Sequence, residues 1–254
     1  MKNIKFTLLL ASMSTLLFSQ ERNATKLIAY KTTSDSVFVG SDSKRNLSFG
    51  VRGSYIRGVI KSRLNAAAKL EDLYDGYPTN WLKDYVSTEI VSASNGKKVK
   101  ASGMNNALTS EQKKILSSAD LGAEVLINIR YKSKNSATDK SEIRSMSLSV
   151  TVVPDNEADF KGGKVQMKKY FSETVIDKIS SDHFTSLNPS MIKFTVNEDG
   201  DIINARITMS TGDQEIDRLI LESVNKMPKW IPAKNSDGMK VKQDFEFVIS
   251  NDGC

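Results

Sequence analysis

His183 is the one histidine of the chain, set in a polar loop with Ser180, Ser181 and Asp182, and so the natural place to look for acid–base or nucleophilic chemistry. A Ser/His/Asp relay also needs an exposed, activated nucleophile. No Gly-x-Ser-x-Gly elbow occurs, so the loop reads as solvated surface. A zinc site needs several His or Cys ligands, and the chain owns one of each, His183 and Cys254. Cys254 is the final residue and has no partner for an internal disulfide. Gly162-Gly163 lacks the Lys and Ser/Thr of a phosphate loop and reads as a helix start. Asn197-Glu198-Asp199-Gly200-Asp201 lacks the spacing and closing Glu of a calcium loop and reads as a hairpin turn. The expectation is a protein that is not an enzyme and carries no cofactor or metal.

The formal charge is +6, and Lys and Arg are scattered among Asp and Glu rather than gathered in a stripe, which argues against a nucleic-acid partner. The first twenty residues place Lys2 and Lys5 ahead of a short apolar run from Phe6 to Phe18, the order of a cleavable secretory signal peptide. Periplasmic localisation is expected, with a mature chain beginning between Ser19 and Arg22 and a charge of 6 − 2 = +4. The run is shorter than the roughly 20 residues of a spanning helix, so no integral membrane segment is expected after cleavage.

The chemistry-bearing residues must be positioned by elements of two periods. Residues 26–80 suggest a small α/β unit: two short strands in LIAYKTTSDSVFVG, then a helix capped by Ser54 with Ile56, Val59, Ile60, Leu64, Ala67 and Ala68 on one face. From Asp84 the period is two. A hairpin turns at Asn95-Gly96, Thr109 and Gln112 have capping-box spacing for a short helix, and two long strands follow to Pro154. Residues 84–154 therefore suggest a β-rich domain, either sandwich-like or a sheet with one helix on it. The order Asn95-Gly96, Asn105-Asn106, the helix LTSEQKKIL and a Gly-led strand gives residues about 84–153 a pattern that resembles the last, immunoglobulin-like domain of the gliding-motility protein GldM. A break at 155–163 leads into a second domain of residues 155–254 with its own core, and the overall class expected is α+β.

In that second domain a helix presents Met167, Tyr170, Phe171, Val175 and Ile179. A hairpin follows with Ile192, Phe194 and Val196, then Ile203, Ala205, Ile207 and Met209 on the core face. The next helix carries Ile216, Leu219, Ile220, Val224 and Met227 and stops at Pro228. The closing strand alternates Val241, Phe245, Phe247 and Ile249 with charge. The ordered set Phe194-x-Val196, Asp199-Gly200, Ser210-Thr211-Gly212, Asp217, Met227-Pro228-Lys229-Trp230, Pro232 and Gly238 resembles the C-terminal domain of the TonB family. With Asp159-Phe160-x-Gly162-Gly163 and the helix through Tyr170, the resemblance spans about residues 155–252. It implies a small sheet with helices on one side that captures an extended segment of an outer-membrane transporter. Two departures stand out: Val175-Ile176-Asp177 replaces the family's Tyr-Pro, and no membrane helix or Pro-rich arm is present.

These readings lead to an expected function, a periplasmic TonB-like binding or adaptor protein for an extended peptide or envelope partner. The alternative is a structural or assembly component of an envelope complex. Partner binding is expected at the closing strand, at a sheet edge, through Val241, Gln243, Phe245, Phe247 and Ile249, with Lys240, Lys242, Asp244 and Glu246 keeping the edge soluble. The same edge could pair two copies as a homodimer. Trp230, between Pro228 and Pro232, either offers its ring to a ligand or packs over the helix, and burial is favoured for it and for Trp81.

Overall fold

A computed structural model describes residues 38–42, 47–55, 57–94, 97–135, 139–180 and 186–251. The signal segment, residues 26–37 with the first strand expected there, Ile56, His183, the Asn95-Gly96 turn and Cys254 lie outside the described residues. The class is α+β, as expected. Among the described residues no helix is long and apolar enough to cross a membrane.

The described residues begin with β1 (Phe38–Asp42) and β2 (Leu47–Gly53), followed by β3 (Gly58–Ile60), α1 (Lys61–Ala66) and a 3-10 turn at Leu70–Leu73. There follow β4 (Tyr85–Ser94), β5 (Lys97–Gly103), α2 (Ser110–Ser118), β6 (Glu124–Lys134) and β7 (Ser141–Val153). These form a sheet ordered β3-β7-β6-β4-β5. Its core face carries Ile90, Val125, Ile127, Ile129, Val150 and Val152, covered by Leu64, Leu70, Leu73, Ile115 and Leu116 from the helices. Of the two arrangements expected for this region, the structure has the single sheet rather than the sandwich, with more than one helix on its core face. Its other face is polar: Ser147 Oγ donates to Asn128 Oδ1 (2.7 Å), and Asn128 Nδ2 to Glu89 Oε2 (3.2 Å).

Local signals explain much of this lobe. Thr109 and Gln112 form the expected reciprocal cap, Gln112 N–H to Thr109 Oγ1 at 3.2 Å and Thr109 N–H to Gln112 Oε1 at 3.0 Å. The other end of α2 is closed from a distance, where Lys61 Nζ donates to the carbonyls of Leu116, Ser117 and Ala119. Burial lowers the Lys61 pKa, with Asp120 opposing.

The long helix expected after Ser54 does not form. Val59 and Ile60, β-branched, pair in parallel with Val152 and Val153, leaving a six-residue α1 whose N-cap is Ile60. The Ser54 hydroxyl instead donates to Glu246 Oε1 (3.0 Å).

After β7 the chain crosses back and forms α3 (Gly163–Thr174) with a 3-10 turn at Ile176–Lys178, β8 (Ser190–Val196), β9 (Ile202–Met209), α4 (Gln214–Asn225), the short ribbon β10 (Ala233–Lys234) and β11 (Lys240–Val241), and β12 (Gln243–Asn251). The second sheet is ordered β1-β2-β12-β8-β9. Helices α3 and α4 cover one face, where Phe171 stacks on Phe247 with centroids 4.3 Å apart. Phe49 and Val51 of β2 belong to this core. The described part of the unit expected at 26–80 is therefore divided: β1 and β2 complete the C-terminal lobe, while β3, α1 and the 3-10 turn complete the middle one. Residues 57–154 form a lobe inserted into the other.

Candidate functional site

The closing strand, expected at an edge, lies in the middle of its sheet. β12 pairs antiparallel with β8 from Gln243↔Val196 to Ile249↔Ser190 and with β2 from Phe245↔Gly53 to Asn251↔Leu47. The physical reason is intramolecular supply: an open strand edge draws any strand that can reach it, and the chain's own β2 is tethered nearby.

The residues expected to meet a partner are correspondingly internal. Phe245 (1% exposed), Phe247 (0%), Ile249 (2%) and Trp230 (4%) are core, and Val241 packs against it. Gln243 (6%) is fully committed: its Oε1 accepts from Ala158 N–H (2.7 Å) and its Nε2 donates to Glu157 Oε2 (2.9 Å). Glu157 also accepts from Tyr55 OH (2.5 Å), tying both interlobe crossings to β12. These side chains hold the fold, and the β12 edge needed for a strand-paired homodimer is occupied. Trp230 is buried as favoured, its ring among Phe160, Phe194 and Phe245. Trp81 is not: it is 58% exposed, leaning on Tyr131 at 5.5 Å.

The motifs that carried the resemblance act mainly as structural latches. Asp213 caps α4, accepting from Glu215 and Ile216 N–H. Asp217 accepts from Ser210 Oγ (2.5 Å), Thr211 N–H (2.8 Å) and Thr211 Oγ1 (2.8 Å). Burial opposes its ionisation, but the Ser210 and Thr211 hydrogen bonds hold its carboxyl below the usual aspartate range. Asn197 Oδ1 accepts from Asp199 and Asp201 N–H, which closes the β8–β9 turn and explains the acidic loop without an ion. Among the described residues no cluster of His, Cys, Asp or Glu is arranged to hold a metal.

The surface feature with chemistry lies elsewhere. A cleft of about 470 Å³ opens where the first lobe meets the uncovered face of the second sheet. One wall is Leu121, Gly122 and Thr151 to Pro154; the other is Lys193, Thr195, Asn204, Arg206, Lys242 and Asp244, with Ser54 and Tyr55 at the crossing. A row of directly opposed residues runs across four strands into this cleft: Arg52 on β2, Glu246 on β12, Lys193 on β8 and Arg206 on β9. Glu246 bonds Arg52 (3.0 Å) on one side and Lys193 (3.1 Å) on the other. One row along, Thr195 Oγ1 donates to Asp244 Oδ1 (2.6 Å).

β9 forms the border of the cleft and is one of the two outermost strands of the sheet, β1 being the other. Its pairing with β8 is irregular between Lys193↔Arg206 and Thr195↔Ile203, and Asn204 takes a left-handed φ of 57°. The bulge reverses the side-chain alternation. Ile202, Ala205 and Ile207 pack on the core, whereas Ile203 and Met209, expected there, do not.

Sequence reading missed Lys193, Asn204 and Arg206 as site residues and gave Lys242 and Asp244 only a solubility role. The available signal was the polar half of the alternation in β8 and β12. Compared with known protein families, with characterised proteins and with solved structures, the chain matches no family model and shows no significant similarity to a protein or a structure.

Proposed function

We propose that this chain is a non-catalytic binding or adaptor protein of the cell envelope that takes an extended segment of a partner protein into the interlobe cleft, alongside β9. The observation that carries the reading is the continuity of the cleft with the β9 edge of the second sheet at Asn204 and Arg206; the other outermost strand, β1, does not line the cleft. Backbone groups on a free edge offer affinity to an added strand, and a concave wall beside them offers side-chain selection. The signal-like start and the TonB-like order of the last hundred residues support an envelope role; the occupied β12 edge moves the expected capture site from the closing strand to β9.

Site-specific photocrosslinking tests this. A photoreactive residue at Thr208 on β9 should give discrete adducts in envelope preparations, whereas one at Val165 on α3, also exposed, should not. Equal labelling from both positions, or none from Thr208, rejects the cleft and edge as the binding site. Adducts confined to a single partner support an adaptor, and adducts with many subunits of one assembly support a structural component.

A further inference from the structure

Resting on the binding site proposed above, we infer that the segment it accepts is acidic, with its carboxylates taken by Arg206, Lys193 and Lys242. The cleft wall holds three cations, Lys193, Arg206 and Lys242, against one carboxylate, Asp244, a balance of 3 − 1 = +2. Asp244 is already engaged by the Thr195 hydroxyl.

The strand register sharpens the imbalance. Lys193 and Arg206 stand directly opposite each other on neighbouring strands, an arrangement that costs stability unless an anion intervenes. The nearest carboxylate in the row, Glu246, is shared between Arg52, Lys193 and the Ser54 hydroxyl. Among the described residues the Arg206 side chain makes one hydrogen bond, a long 3.4 Å contact from Nη1 to the Asn204 carbonyl, and neither it nor Lys242 forms an ion pair. A guanidinium whose fork makes only one long contact, set beside an ammonium at the mouth of a concave site, is suited to a carboxylate in bidentate geometry.

The shape favours a peptide over a membrane surface. The cations lie along a recess walled by Gly122 and Pro154 of the other lobe, where a chain can enter and a flat bilayer cannot. An extended peptide also sends alternate side chains to one side, so acidic residues at every second position share the face that meets the cleft.

The test uses the whole chain and fluorescein-labelled octapeptides of alternating Glu and Ser, Gln and Ser, or Lys and Ser, read by anisotropy at about 50 mM salt. The Glu peptide should bind at least roughly 10-fold more tightly than the Gln peptide, and roughly 0.5 M salt should erase the difference. The double variant R206E/K242E should lose at least about 10-fold for the Glu peptide and bind the Lys peptide instead. K98E, a charge reversal on β5 outside the cleft, should leave binding unchanged, with circular dichroism verifying the fold of each variant. Equal affinity for the Glu and Gln peptides overturns the acidic preference and leaves the binding site standing. Failure of all three peptides overturns both readings. An equal loss in K98E overturns the assignment to these cations, and binding to phosphatidylglycerol-containing vesicles without peptide binding, lost in R206E/K242E, assigns them to a lipid headgroup.

Discussion

Gly200 and Trp230 meet backbone to backbone. The Trp230 N–H donates to the Gly200 carbonyl (2.8 Å), and Gly200, with a φ of 84°, leaves no room for a Cβ against the Trp230 carbonyl oxygen. The contact ties the β8–β9 turn to the extended Pro228–Pro232 segment, so the Asp199-Gly200 and Trp230-x-Pro232 motifs, thirty residues apart, form one structural joint. Gly200→Ala should cost about 2 to 5 kcal/mol, combining left-handed strain with backbone overpacking. Urea unfolding of the variant gives the value, and a loss below about 1 kcal/mol would mean that the joint yields freely.

Trp230→Ala should cost about 3 to 5 kcal/mol because the ring is core. Trp230→Phe should cost less. The indole Nε1 is buried without a hydrogen-bond partner, so removing it eliminates an unsatisfied donor while keeping much of the apolar contact. Equilibrium unfolding of both variants checks the order, and equal losses would contradict it.

A fragment of residues 154–254 contains α3, β8, β9, α4 and β12 but leaves the β2 side of β12 bare. The sequence alone suggests that it folds independently; the structure predicts that it self-associates through β12 or fails to fold cooperatively. Adding a peptide of residues 38–55 should restore a monomer. Light scattering after size exclusion reads the outcome, and a stable monomeric fragment without the peptide would show that β2 is dispensable.

Arg52 and Glu246 are 194 residues apart in sequence and joined at 3.1 Å through the Arg52 Nε, with Glu246 largely buried. A double-mutant cycle of Arg52→Ala and Glu246→Gln should give a coupling of about 1 to 3 kcal/mol. A coupling within error of zero would reduce the pair to an ordinary surface contact.

Asp217 predicts a pH dependence. Its folded pKa is depressed, so its contribution is present above the ordinary aspartate pKa and lost as pH falls through the folded value. Asp217→Asn should destabilise by about 1.5 to 3 kcal/mol at neutral pH. That difference should shrink steadily in acid below the aspartate range, and a difference independent of pH would show that the charge is not what holds Thr211 and Ser210.

What the sequence determined alone was local. Alternation located β4, β6, β7, β8 and β12, helical spacing located α3 and α4, and the caps at Thr109 and the Asp199-Gly200 turn were legible because each is set within a few residues. The polar half of the alternation in β8 and β12 was equally visible, so Lys193, Lys242 and Asp244 could be seen as outward-facing, but not as neighbours. Which strands pair was decided by tertiary structure. β2 joins β12, β3 runs parallel to β7, and the Asn204 bulge moves Ile203 off the core face, because backbone pairing has no periodic signature in the strand that accepts it. The same non-local choice buried the strand expected to bind a partner, left β1 and β9 outermost, and set Lys193 against Arg206 beside a wall from the inserted lobe.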